Sequence, residues 1–209
     1  MSKINIESNN YNSNYVTCES SPQSQISYDE LSKNKRINEK EEKENFEIYL
    51  INQNFKALKV SDFISEILLD ISKENSERKF SVIRNSFYIK NPPNMPFLDF
   101  TRRVVKFLKP EISTLIISLI YIDLLLKMYE EELFLTENNI YKIFFTSIVL
   151  AMKYNEDNSC KNDIFGKVGG ISIEEINNLE RDFLILIDYR LYISEDLYKL
   201  YEPSFVECK

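Results

Sequence analysis

The sequence contains no histidine in 209 residues, and only three glycines and three cysteines. Without imidazole, Ser-His-Asp triads, Cys–His dyads, histidine metal sites and histidine proton shuttles cannot be built within the chain. Cys18, Cys160 and Cys208 are far apart, with no CxxC pair, so neither a disulfide framework nor a zinc site is indicated. Scattered thiols of this kind fit a reducing compartment. Long apolar runs are also lacking: the longest, Leu115 to Leu126, is interrupted by Ser118, Tyr121 and Asp123. A bilayer span needs about 20 apolar residues, so this run reads as a buried core helix. Excess positive charge is missing too. The formal net charge is −7, which argues against a phosphate-tracking face for nucleic acid. The start, Met1-Ser2-Lys3 followed by Asn- and Ser-rich sequence, has no apolar core of signal-peptide type. The expectation is a soluble, intracellular protein of cytoplasm or nucleus, with no membrane and no nucleic-acid partner. An enzyme would have to run on carboxylates, Lys, Tyr or Cys. Glu-x-x-His pairs for a metal in a helical bundle and a DDxxD motif are both missing. No catalytic residue, cofactor or metal site is therefore assigned.

What is present is helical. Residues 1–45 are rich in Asn, Ser, Lys and Glu, with few large apolar side chains to offset ordering entropy, and are expected to be a disordered tail. The charge run Glu39 to Glu44 fits either a solvated helix start or that tail. Residues 46–90 form an N-terminal extension. Within it Ser61 is a suitable N-cap, and Phe63, Ile64, Ile67, Leu68 and Ile71 recur at helical spacing. Phe80 to Lys90 reads either as a short strand or as an irregular connection. The proline-rich stretch Asn91 to Pro96 cannot be helix interior.

Residues 91–191 then read as five helices, followed by a short segment, 192–209. Phe97 to Lys109 is closed by Pro110, and Ile112 to about Tyr129 is apolar almost all round, as a central helix would be. Thr136 is placed to cap a third helix carrying Ile140, Phe144, Ile148, Val149 and Met152. A fourth spans Asp163 to Val168. Gly166, Gly169 and Gly170 lie together, and glycine permits the positive φ that a helix C-terminus often needs. Ser172 and Glu175 make an S-x-x-E capping box for a fifth helix with the apolar stripe Ile173, Ile176, Leu179, Phe183, Leu186 and Ile187. The glycines match no phosphate-binding spacing.

Several of these residues resemble those of a cyclin box. Tyr121-Ile122-Asp123 resembles the family's Y-I-D, and Ala151-Met152-Lys153 its A-x-K. Lys167-Val168-Gly169-Gly170-Ile171, followed by Leu179-Glu180-x-x-Phe183-Leu184 and Tyr189-Arg190, resembles the phosphate-pathway branch that includes plant P- and U-type cyclins. Pro92-Pro93-Asn94 resembles that branch's approach to the first helix, and the similarity runs from about Ser61 to Leu191. The resemblance implies an all-α, five-helix cyclin box with an extra N-terminal helix. It further implies a regulatory subunit that binds and activates a cyclin-dependent serine/threonine kinase and reaches protein substrates through that complex.

Carried over by residue, Lys153 and Glu180 would hydrogen-bond the main chain at the end of the kinase helix that bears the catalytic glutamate. Leu150, Tyr154, Leu184, Tyr189 and Leu191 would be the apolar contacts, and each is equally suited to the core. Asp157, in the turn after Lys153, would face the kinase activation segment. Asp123 reads as a structural carboxylate. Where many cell-cycle cyclins have M-R-A-I-L, this chain has Asn94-Met95-Pro96-Phe97-Leu98. The arginine is missing, so docking of R-x-L motifs does not carry over. The alternative reading of the residues is a helical scaffold for a partner that is not a kinase. A transcription adaptor of the same fold would want two repeats and a basic face.

Overall fold

A computed structural model describes residues 28–76 and 86–206. All regular structure among the described residues is helical: α1 (Tyr28–Glu74), α2 (Phe97–Leu108), α3 (Ile112–Met128), α4 (Ile140–Asn155), α5 (Asn162–Gly169), α6 (Ile173–Leu186) and α7 (Glu195–Val206). The chain divides into two units, 1–45 and 46–209. Of the first, residues 1–27 of the expected tail lie outside the described residues, while 28–45 are the first turns of α1 rather than irregular chain. Lys and Glu are good helix formers, and Glu39/Lys43 and Lys40/Glu44 stand four apart, the spacing that supports a solvated helix.

Within the second unit α1 continues without a break through Ser61, which corrects the expected N-cap there. The hydroxyl of Ser61 is buried and donates to the carbonyl of Leu58 at 2.9 Å, inside the helix. Its neighbour Asp62 takes a bidentate bond from Arg102 on α2, both contacts at 2.8 Å, and Ser65 shares a 2.6 Å hydrogen bond with Thr101. These polar residues serve helix packing, not helix initiation. After Ser76, residues 77–85 are outside the described residues, and 86–96 run in bends and turns. That segment is fastened to α4 and the turn before it. Ile89 donates to the carbonyl of Asn138 at 2.6 Å, Lys142 donates to Ser86 at 3.0 Å, and Tyr141 to Met95 at 2.7 Å.

The central helix is α3, whose residues 114–122 are all buried or nearly so, and it packs most extensively on α4. α2 joins them through aromatic edges: Phe97 and Phe100 meet Tyr141 and Phe144 with ring centroids 5.2–6.5 Å apart. The start of α4 differs from expectation. Asn139, not Thr136, is the N-cap residue, and its buried amide braces the preceding turn by accepting from Thr136 N–H at 2.8 Å and donating to the carbonyl of Phe134 at 2.8 Å. An amide able to bond both ways holds a buried turn more fully than a hydroxyl.

α5 lies so close to α4 that a Cβ on Gly169 would sit 2.5 Å from the ring of Phe145. Gly170 ends the helix with φ 71°, and its N–H reaches the carbonyl of Gly166 at 2.8 Å. Ser172 then caps α6, accepting from Glu175 N–H at 3.1 Å. Only that half of the expected capping box forms. The Glu175 carboxylate turns instead to Lys142 on α4, at 2.8 Å. A buried lysine stem offers a charged partner, which outweighs a return bond to a solvated backbone N–H. Beyond α6, the C-terminal segment forms α7, whose Phe205 stacks edge-on against Phe63 of α1 at 5.4 Å. The hydroxyl of Tyr201 is hydrogen-bonded to Asp123 on α3, which also pairs with Lys127 at 2.7 Å. Asp123 is a structural carboxylate.

Candidate functional site

The last turn of α4 carries Lys153, and α6 presents Glu180 from the same side as the core residues Ile176 and Phe183. The packing of α4 on α6 brings the two together: the ammonium of Lys153 is ion-paired with Glu180 Oε1. The other carboxylate oxygen accepts the side-chain amide of Asn162 at 3.1 Å, from the first turn of α5. Glu180's side chain is 13% exposed and that of Lys153 33% exposed. Lys153 also lies over the buried ring of Phe165, with 5.7 Å from nitrogen to centroid. Three helices thus deliver a preorganised cation and anion to the edge of the core.

The residues around this pair fall into two groups. Leu150, one turn before Lys153, is 4% exposed and belongs to the core, so it supports the face from beneath and does not line it. The reason is that α4 is enclosed by α2, α3 and α6, and offers no outward apolar face until its last turn. Tyr154 is 51% exposed and Tyr189 64% exposed, with Leu184 and Leu191 half-buried between core and solvent.

The loop after α6 explains their grouping. Asp188 and Tyr189 both have left-handed backbones, φ 53° and 55°, without being glycine. Such residues are held at a cost of about 1–2 kcal/mol each. Tyr189 N–H closes the helix on the carbonyl of Leu184 at 2.8 Å, and the reversed chain brings the carbonyl of Leu191 to the hydroxyl of Tyr121, 2.7 Å away. Tyr121 is fully buried, and burial pushes its hydroxyl up to about 12, partly offset by a hydrogen bond with Asn155. Asn155 is the last residue of α4, next to Tyr154. The 189–191 loop and the end of α4 are therefore tied to one point of α3.

Two neighbouring carboxylates leave α4 after Lys153, and they differ. Glu156 accepts the backbone N–H of Glu111 at 3.0 Å and the hydroxyl of Thr114 at 2.6 Å, which caps the start of α3. Asp157 is exposed in the following turn. Sequence reasoning missed Asn162, whose role depends on where α5 begins, and the exposed apolar Ile164 and Ile185, which are 41% and 54% exposed. Ile185 follows Leu184 directly, and the five-residue apolar run Phe183 to Ile187, in a helix with a narrow stripe, is the signal that would have found it.

The Cyclin family profile matches residues 12–191. The chain belongs to the cyclin family, and the match begins well before Ser61. Among its relatives, Cyclin-U2-1 of Arabidopsis thaliana is 30% identical over 115 residues, 55% of this chain and 51% of that protein. PHO85 cyclin-7 of Saccharomyces cerevisiae (strain ATCC 204508 / S288c) is 28% identical over 149 residues, 66% of this chain and 52% of that protein. PHO85 cyclin PHO80 of the same yeast is 33% identical over 133 residues, 61% of this chain and 45% of that protein. These are the phosphate-pathway and plant U-type cyclins that the sequence motifs resemble. The chain spans about half the length of these relatives. No helix among the described residues is long and apolar enough to cross a membrane.

Proposed function

We propose that this chain is the regulatory subunit of a cyclin-dependent serine/threonine kinase, acting inside the cell in cytoplasm or nucleus, without catalysis of its own. Membership of the cyclin family and relatives named as PHO85 cyclins support a kinase partner. The observation that carries the site is the Lys153–Glu180 pair, at the family's A-x-K and L-E positions, beside an exposed apolar rim.

A kinase helix laid across α4 and α6 needs an apolar bed and polar groups for its unsatisfied terminal backbone. Tyr154, Leu184, Tyr189 and Leu191 supply the bed. Lys153 donates to carbonyl oxygens at the end of the kinase helix, and Glu180 accepts N–H groups from the segment before it. The bond from Asn162 keeps the Glu180 carboxylate aimed while Lys153 shifts to its new partners. Asp157 reaches past this face toward the activation segment and takes an arginine there. Protein substrates are met through the complex, not through an R-x-L groove.

Co-purification of the native protein, followed by identification of its partner and a kinase assay, tests this. The expected result is a serine/threonine kinase whose activity rises on addition of the chain. Recovery of partners without kinase activity, and no activation of cyclin-dependent kinases, would replace it with the helical scaffold.

A further inference from the structure

The antiparallel contact of α1 and α2 carries a second surface, built from different residues. Asp62 and Arg102 fix the two helices at one point, and a groove lined by Gln53, Asn54 and Ala57 on one side and Lys109 and Pro110 on the other fixes them at a second. Between these points Lys59 lies on the same side of α1 as Asp62, Lys106 follows Arg102 at i+4 on α2, and Lys109 is the left-handed C-cap residue just beyond that helix. None of these three lysines has a salt-bridge partner among the described residues. Asp62 is engaged by Arg102, and Glu111, in the groove, accepts from the hydroxyl of Ser113 at 3.2 Å. Two phenylalanine rings stand beside the lysines and face water. Phe55 is 58% exposed with Lys59 over it at 4.8 Å, and Phe107 is 61% exposed with Lys106 at 5.8 Å. Ile51, one turn before Phe55, is 65% exposed.

Cations without a salt-bridge partner among the described residues, in a chain of net charge −7 and interleaved with exposed aromatic and aliphatic side chains, are complementary to acid and grease together. We propose that the α1–α2 strip of Lys59, Lys106 and Lys109 with Phe55 and Phe107 docks an acidic, apolar-containing segment of a partner protein. Carboxylates of that segment meet the lysines, and its apolar residues cover the two rings. Nucleic acid is a poorer match, because a long polyanion would meet the negative field of the rest of the chain and would leave Ile51 uncovered. The strip shares no residue with the Lys153–Glu180 face, so it does not depend on the kinase reading.

Fluorescence anisotropy tests it with the full chain and a labelled peptide of about twelve residues of Asp, Glu, Leu and Phe. A neutral version with Asn and Gln in place of the acids is the control, and each variant's thermal melt is recorded alongside. Saturable binding of the acidic peptide is expected, weakened about tenfold or more in the Lys59→Glu/Lys106→Glu double variant. Phe55→Ser should weaken it as well. Binding should persist in Lys59→Arg/Lys106→Arg and in Lys153→Ala. No binding, equal binding of the neutral peptide, or equal binding by the charge-reversed variant with an unchanged melt would overturn the proposal. So would a single-stranded oligonucleotide that binds the same strip more tightly than the peptide.

Discussion

The hydroxyl of Tyr121, in the middle of the central helix, donates to the carbonyl of Leu191 at 2.7 Å. A side chain fully inside the bundle thereby holds the loop that displays Tyr189, two residues earlier, to solvent. Asp123, two residues along the same helix, holds α7 through Tyr201. The tyrosine and aspartate of the Y-I-D motif are thus two anchors for chain that follows α6, and the isoleucine between them is core.

Replacing Tyr121 with Phe keeps the ring and removes the bond. The carbonyl of Leu191 loses its donor in a partly buried place, at a cost of about 1 kcal/mol, or roughly 2–4 °C in Tm for a chain of this size. Alkali should reveal the same group. Its folded pKa is raised from 10.0 to about 12 by burial, so the unfolded chain releases this proton first. The stability it contributes is fully present below pH 10.0 and is lost as pH rises toward about 12. Urea melts at rising pH should fall less steeply over that window in Tyr121→Phe than in the parent.

Lys153 and Glu180 lend themselves to a double-mutant cycle. Glu180→Ala leaves Lys153 one-third exposed and free to hydrate, so the fold should survive with a small loss of stability. Kinase affinity should fall about tenfold to a hundredfold for each single variant, the loss of a charge-assisted bond worth about 1.5–3 kcal/mol. If both variants bind and activate the kinase like the parent, the pair is a structural ion pair and nothing more. A coupling close to zero for kinase binding would show the two residues serving separate partner groups.

The two adjacent glycines should respond in a definite order. Gly169→Ala places a methyl 2.5 Å from the Phe145 ring, which must be displaced within a packed core, at about 1–3 kcal/mol. Gly170→Ala meets nothing within 4 Å and carries only the strain of its φ of 71°, about 1–2 kcal/mol at most. Calorimetric melts should therefore place Gly169→Ala below Gly170→Ala. The reverse order would mean that the backbone of this turn, not the approach of α5 to α4, sets the requirement for glycine.

The helices of the box were legible where a residue has only one local use. Pro110 cannot continue a helix, Gly170 accepts a left-handed backbone, and Ser172 caps α6. Legibility failed where a polar residue has a distant partner. Ser61 resembles a cap until Leu58 and the α2 contacts claim its surroundings, and Thr136 resembles one until Asn139 takes over the turn. That Lys153 and Glu180 share one face was expected from family motifs, but their ion pair with each other was not; periodicity alone leaves each as an ordinary helix-surface charge. The left-handed Asp188 and Tyr189 turn a loop that is held at Leu191 by Tyr121, a partner 70 residues away that no local pattern shows.

Glu156 and Asp157 are neighbours of the same charge, and the structure gives them different surroundings. Glu156 caps α3 through Glu111 N–H and Thr114, so Glu156→Ala should lower stability by about 1–2 kcal/mol, as loss of a helix cap does. Asp157 is exposed, and Asp157→Asn should leave the melt unchanged. On the proposed kinase reading, a carboxylate in that turn, just past Lys153, would accept a bidentate guanidinium, as the phosphate on an activated kinase loop does. With the kinase unphosphorylated, Asp157→Asn should therefore reduce the activity of the complex several-fold. Phosphorylation of the activation loop should restore it, since the phosphate would gather the arginine in place of the lost charge. Glu156→Ala, assayed at a temperature where it is fully folded, should show no such rescue. Equal activity of the parent and Asp157→Asn complexes, with and without loop phosphorylation, would make Asp157 an ordinary residue of a solvated turn.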